Sequence, residues 1–237
     1  MIGSWAGTVR QKLNLRIKMK QVHGLWFPDY DTHFPRMLEK SLKNDGVIRY
    51  QWRARDAAVA ACDQHRICID IGANVGLWAC DLVKSFEQVI AFEPVAEFRE
   101  CFQKNVASSN YVIHPVALGR TETMIEMNIV QGNTGHSHID PTSIGKGTIP
   151  LKTLDSFNFT NIDMIKIDVE GFEEEILAGA MKTIEFNKPV IVVEQQKHEY
   201  KDAIADKPSI KILESWGYQV IDQVKKDWVL KYTGVRA

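Results

Sequence analysis

The chain has 237 residues, 45% of them hydrophobic and 25% charged, with 29 Lys and Arg against 30 Asp and Glu for a net charge of −1. That composition suits a globular fold with one good core, and it excludes an overall field that would draw the protein to nucleic acid or anionic lipid. No apolar run approaches the roughly 20 residues of a membrane-crossing helix, and no apolar segment follows the N-terminus as in a secretory leader, so the expectation is a cytoplasmic protein without membrane contact.

The first residues break the charge balance. Arg10, Lys12, Arg16, Lys18 and Lys20 precede the first acid, Asp29. Leu13, Leu15, Ile17 and Met19 alternate with polar neighbours, the period of a half-buried strand with a solvated basic face. Asp29, Asp31 and His33 alternate just before Pro35, which is well placed at a helix start; capping explains these acids better than a metal does. A second helix is expected over 55–64. The four cysteines, Cys62, Cys68, Cys80 and Cys101, form no C-x-x-C and no finger-like spacing with histidine. They suggest free thiols rather than structural zinc or a disulfide frame.

From residue 66 onward short apolar runs alternate with helical stretches. Strands are expected at 66–71, 88–92, 111–116, 164–169 and 189–194, with helices at 77–85, 96–108, 172–186 and 208–216. This rhythm predicts an α/β fold with a mostly parallel, doubly wound sheet that binds ligands at the carboxyl ends of its strands. Two runs at 218–222 and 228–232 predict a closing antiparallel hairpin. Between the third and fourth strands lie almost fifty residues, Ala117 to Asp163, with alternating Ile125, Met127 and Ile129 and then Gly132-Asn133-Thr134-Gly135-His136-Ser137-His138. A connection that long is usually functional.

Ile69-Asp70-Ile71-Gly72-Ala73-Asn74-Val75-Gly76 comes off the first of these strands and opens a helix. Glycine at such a turn lets backbone approach a ligand, and the amides of the helix start favour a negative group. Glu93 ends the second strand, 21 residues beyond Gly72, where an acid can hold two ribose hydroxyls. The glycines are four apart and lack the G-x-G-x-x-G of a dinucleotide turn. Asp70 would repel a pyrophosphate but suits the ammonium of S-adenosylmethionine (SAM), so the spacing favours SAM over NAD.

Three segments resemble the FkbM family of methyltransferases: 69–76 above, Ala91-Phe92-Glu93-Pro94, and Ile165-Lys166-Ile167-Asp168-Val169-Glu170-Gly171-Phe172-Glu173. The likeness runs over about residues 50–194 and includes Val116-Ala117-Leu118-Gly119 and Leu154-Asp155-Ser156-Phe157. It implies a Rossmann-like class I methyltransferase fold, but nothing before Tyr50 is carried over from it; the order of elements makes residues 1–60 an N-terminal strand and helix extension packed on the core and 61–237 the SAM-dependent domain. By this resemblance Asp70, Gly72, Ala73, Asn74 and Gly76 surround the methionine and ribose end, Glu93 and Pro94 the ribose, and Ala117 and Leu118 the adenine. Family members mostly methylate hydroxyl groups, often on sugars or polyketides.

A hydroxyl acceptor must lose a proton, so a carboxylate or imidazole near the methyl is useful. Asp168, Glu170 and His136 are the catalytic candidates, with His138, Glu194 and His198 as substrate contacts. Strand alternation puts Lys166 on the face of Asp168, which predicts a polar network there. A divalent metal shared by His136, His138 and Asp140 is conceivable, but no spacing requires one. The expected reaction is O-methylation of a sugar, glycan or small polyhydroxylated metabolite, releasing S-adenosylhomocysteine (SAH). RNA or protein acceptors, and a non-catalytic SAM-binding module, are the alternatives; the neutral charge argues against nucleic acid.

Overall fold

The computed structural model describes residues 18–195 and 208–234. Most of the expected basic strand at 13–20 lies outside the described residues, as does His198. The described chain opens with a hairpin, β1 (Met19–Val22) and β2 (Leu25–Pro28), followed by helices α1 (His33–Asp45) and α2 (Trp52–Ala61). An alternating unit follows: β3 (Ile67–Ile71), α3 (Ala79–Ser85), β4 (Gln88–Phe92), α4 (Ala96–Asn105) and β5 (Tyr111–His114). The long connection holds the short strands β6 (Ala117–Leu118), β7 (Thr123–Ile125), β8 (Met127–Asn128), β9 (His138–Ile139) and β10 (Ile149–Lys152). The chain then returns to the sheet with β11 (Ile162–Ile167), α5 (Glu173–Asn187), β12 (Val190–Glu194), α6 (Pro208–Ser215), β13 (Tyr218–Val224) and β14 (Asp227–Tyr232).

Seven of these strands form the central sheet, in the order β13–β14–β12–β11–β3–β4–β5. The pairs from β12 to β5 are parallel, whereas β14 runs antiparallel to both β12 and β13. Both faces are covered. Ile69, Ile71, Ile165, Ile167, Ile191 and Val193 pack with Ile176 and Leu177 of α5 and Leu213 of α6. Their alternates Cys68, Met164, Val190 and Val192 pack with Ala54 and Ala58 of α2 and Leu82 of α3. Burial on two sides is why these strands read as continuous apolar runs rather than alternating ones.

On the α2 side the alternation turns polar at the carboxyl ends. Asp70 follows Cys68, Lys166 follows Met164, and Glu194 follows Val192, so charged groups collect along one sheet edge. The strand order reverses at the same place, because the chain leaves β3 for β4 and β5 on one side and comes back as β11 on the other. There the two strand ends touch. Gly72 has φ +74°, and a Cβ on it would lie 2.0 Å from the carbonyl oxygen of Asp168.

Two departures from the sequence reading have local causes. Helix α3 starts at Ala79 rather than Leu77, because Gly76 (φ +86°) first turns the chain onto Phe102 and Val106. The expected alternation through Ile125, Met127 and Ile129 breaks at Glu126, whose N–H donates to the Ser143 hydroxyl at 2.8 Å instead of to a neighbouring strand. Two small sheets result, β6–β10–β7 and β8–β9. Among the described residues no helix is long and apolar enough to cross a membrane.

Candidate active site

A cavity of about 300 Å³ opens where the carboxyl ends of β3 and β11 meet. Gly72, Ala73 and Asn74 of the glycine loop, Glu93 and Pro94 after β4, and Ala117 and Leu118 of β6 all line it. Phe92, Phe98, Val116 and Phe172 complete an apolar slot suited to a flat ring. Glu93 is buried in its wall, 4% exposed. Its Oε2 accepts the Asn74 N–H and its Oε1 the Val95 N–H, each at 2.8 Å. A carboxylate offers about four acceptor positions, so capacity remains for a vicinal diol. Burial pushes its pKa up to about 7.

The glycine loop works differently from the expected anion cradle. Gly72 and Ala73 donate their N–H groups to Phe92 O, Asn74 donates to Glu93, Val75 to Asn74 Oδ1, and Gly76 to Ala73 O. Every amide from 72 to 76 is therefore taken by the protein, and the loop contributes shape rather than free donors. Gly76 packs on α4 and does not line the cavity. Asp70 does not reach the cavity either. Cross-strand register sets Lys166 opposite it, and the fully buried carboxylate lies 3.1 Å from Lys166 Nζ. Lys166 also donates to Gly72 O at 2.9 Å and sits 3.8 Å from Asp168. Burial alone would pull the Lys166 pKa down, but Asp70 and Asp168 outweigh it and keep the ammonium charged. The group expected to meet the SAM ammonium is thus already neutralised by a lysine.

Beyond the slot the cavity becomes acidic. Asp168, Glu170 and Glu194 each place a carboxylate oxygen within 4.8 Å of the other two. Lys226, in the turn between β13 and β14, approaches Glu194 at 3.7 Å. Burial and then the charges of Asp168 and Glu170 push the Glu194 pKa up to about 9, and Glu194 hydrogen-bonds Asp168. At neutral pH Glu194 therefore carries a proton beside Asp168. Tyr50 lines the same chamber, its phenol raised by burial and by these carboxylates. Gln51 Oε1 accepts the Trp78 indole N–H at 2.6 Å and closes the wall beside it.

The proton retained by Glu194 has a measurable consequence. Folded Glu194 holds its proton up to about pH 9, whereas the unfolded chain loses it near the ordinary glutamate pKa. Its contribution to stability is thus complete at low pH and declines as pH rises toward 9. Thermal unfolding should show wild-type stability falling between about pH 7.5 and 9, by at most about 1.4 kcal/mol per pH unit from this group. Glu194→Gln should flatten the slope; an unchanged slope would show that Glu194 is already ionised.

The histidine-bearing turn is hung over the cavity by polar contacts. Asn74 Nδ2 donates to Thr134 O at 3.0 Å, and the Thr134 hydroxyl donates to the buried Asp31 carboxylate. Asp31 also accepts the N–H groups of His33 (2.8 Å) and Phe34 (3.3 Å), so it caps α1 as its sequence position suggests. His136 reaches the cavity mouth with its ring centroid 6.2 Å from that of His33. Burial and the neighbouring His33 lower its pKa, which favours the neutral base. His138 does not line the cavity; its Nδ1 lies 3.0 Å from His136 O. Asp140 binds the N–H and hydroxyl of Thr142 and is not drawn to the histidines.

Sequence reasoning did not assign His33, Phe34, Met37, Tyr50, Gln51, Trp78 or Lys226 to the site, yet all line the cavity. Only His33 stands in a pattern that the sequence singles out. Trp78 follows the glycine loop directly, and the others arrive from the N-terminal elements and the last turn, far along the chain from that loop.

Residues 70–220, more than half of the chain, match the methyltransferase FkbM domain. Methyltransferase 1 of Beauveria bassiana (strain ARSEF 2860) is 24% identical over 151 residues, covering 51% of this chain and 61% of that protein, so the match spans less than two thirds of the curated relative. Among solved structures, a methyltransferase FkbM from Methylobacillus flagellatus KT is 20% identical with a TM-score of 0.40, over 64% of this chain and 35% of that one. A precorrin-6y C5,15-methyltransferase from Geobacter metallireducens GS-15 is 12% identical with a TM-score of 0.45, over 79% and 94%. The chain belongs to the methyltransferase FkbM domain family.

Proposed function

We propose that this protein is a SAM-dependent methyltransferase acting on a hydroxyl of a sugar, glycan or other small polyhydroxylated acceptor. One observation carries the reading: a single cavity joins an apolar slot holding a buried carboxylate, Glu93, to a chamber holding three carboxylates around Asp168. The slot fits the cofactor that the family implies, with Glu93 receiving ribose hydroxyls and Phe92, Ala117 and Leu118 flanking adenine. Bound there, SAM supplies an electrophilic methyl on a sulfonium, and SAH is the product.

The protein's part is to orient the acceptor and take its proton. Asp168, at the end of β11, is the base in this reading. Protonated Glu194 fixes its orientation through their hydrogen bond, and Lys166 stabilises its charge from 3.8 Å. Glu170 and neutral His136 accept from the acceptor's other hydroxyls, and His33 and Tyr50 bound it on the far side. The reading calls on carboxylates as proton acceptors and needs no divalent metal. Residues 61–237 make up the catalytic domain in this reading, and the described part of the preceding extension, 18–60, packs on it to complete the acceptor side. We place the protein in the cytoplasm.

An RNA acceptor fits the chamber poorly. Asp168 and Glu170 face Lys226 and a Lys166 already paired with Asp70, which leaves no surplus of positive charge for a phosphate backbone. Thermal shift and calorimetry with SAM, SAH and NAD test the reading. SAH should stabilise the protein, and Glu93→Ala should weaken its binding about 10–100-fold, the worth of one or two hydrogen bonds to a charged acceptor. Stabilisation by NAD alone would overturn the assignment. Tight SAH binding with no labelled methyl transferred to any polyol or saccharide would favour a non-catalytic module.

A further inference from the structure

One side of the cavity mouth, at Met37, continues into a run of exposed aliphatic residues. Met37, Leu42, Val47 and Ile48 are 38%, 37%, 43% and 37% exposed, four large aliphatic side chains within twelve residues. Helix α1 ends at Gly46, whose N–H returns to Leu42 O. The chain then folds back along the helix. The Ser41 hydroxyl donates to Val47 O and accepts the Arg49 N–H, both at 3.0 Å, which holds Val47 and Ile48 beside the turn that carries Met37. Met37 itself lines the cavity, as do Tyr50 and Gln51 just past the fold-back.

Exposed cations alternate with these aliphatics along the chain. Exposed Arg36, Lys40, Lys43, Arg49 and Arg53 stand against Glu39 and Asp45, an excess of three positive charges over residues 36–53 in a chain whose net charge is −1. Arg49 and Arg53 both stack on the Trp52 ring, at 4.6 and 5.2 Å from its centroid. Aliphatic tips, a tryptophan and a fringe of arginine and lysine are the composition of a surface that sits in the headgroup region of a bilayer.

We propose that this face, α1 with the 46–53 fold-back, docks the protein on an anionic lipid surface beside the cavity mouth. The aliphatic residues enter the boundary between headgroups and acyl chains, and the cations meet the phosphate level. An RNA would use the cations but set four aliphatic side chains against a polar backbone. The attraction is local, so it is compatible with the neutral charge of the whole chain.

The test is sedimentation of the full chain with phosphatidylcholine vesicles, with and without about one third phosphatidylglycerol, at low and physiological salt. The protein should partition onto the anionic vesicles and not the neutral ones, less so as salt rises. Val47→Ser with Ile48→Ser should weaken partitioning about tenfold, and Lys40→Glu with Lys43→Glu should abolish it. None of these four residues lines the cavity, so SAH stabilisation should persist in both variants, confirming that they fold. Equal binding to neutral and anionic vesicles, no binding to either, or full binding by the Val47/Ile48 variant would overturn the proposal; in the last case a polyanion such as RNA becomes the ligand. SAH binding is read without lipid, so failure of docking and failure of the methyltransferase reading are separate outcomes.

Discussion

Lys166→Met should lower the melting temperature by roughly 6–20 °C, from a cost of about 3–5 kcal/mol for stranding a buried charge in a domain of this size. The partner that would be stranded is Asp70, fully buried and set opposite Lys166 by the register of β11 on β3. Burial pushes the Asp70 carboxyl up even with Lys166 in place. Without the lysine it must either stay charged in an apolar wall or take up a proton. The variant should therefore recover part of its stability as pH falls through the raised Asp70 pKa, because the protonated form is favoured only in the folded state. Lys166→Met combined with Asp70→Asn removes both charges and should restore most of the loss, short of the bond from Lys166 to Gly72 O. Thermal unfolding followed by circular dichroism gives the result. If the double variant falls as far as the single one, the pair is not the energetic unit, and Lys166 matters through Gly72 and Asp168 instead.

This pair also marks where sequence reasoning stops. Asp70 precedes a glycine turn, and position alone gives it the look of a ligand group. What decides its role is the residue across the sheet, 96 positions later, and register between distant strands is not encoded in local pattern. The amides of Gly72, Ala73 and Asn74 fail for a similar reason: their acceptors, Phe92 O and the Glu93 carboxylate, stand at the end of the next strand. By contrast, the span of β4, Gln88–Phe92, is readable because a strand buried on both faces must be apolar along its length, and that signal is local. Asp168, Glu170 and Glu194 were within reach because a strand end is where a parallel sheet exposes its ligand groups. The acceptor side was not. Tyr50 and His33 come from elements that contact the site only through tertiary packing, and the Asn74–Thr134 bond that positions His136 links residues 60 apart.

The largest functional effect should come from Asp168→Asn. If Asp168 takes the acceptor proton, the amide removes the base while keeping size and shape, and turnover of a hydroxylated acceptor should fall about 10²–10⁴-fold. SAH affinity should stay within a factor of two or so, since the cofactor slot around Glu93 does not depend on that carboxylate. A structural role would read differently. Asp168 lies beside protonated Glu194 and 3.8 Å from Lys166, so losing a purely structural contact would lower the melting temperature and SAH binding together. Glu194→Gln supplies the contrast. It retains a donor toward Asp168, so kcat should drop far less than in Asp168→Asn. If instead Glu194→Gln is the more damaging change, the proton leaves through Glu194, and the dyad works with its two members exchanged. Their separation by environment supports the first assignment: burial beside two other carboxylates keeps Glu194 protonated to about pH 9, which makes it the partner that gives a hydrogen bond and Asp168 the one free to receive.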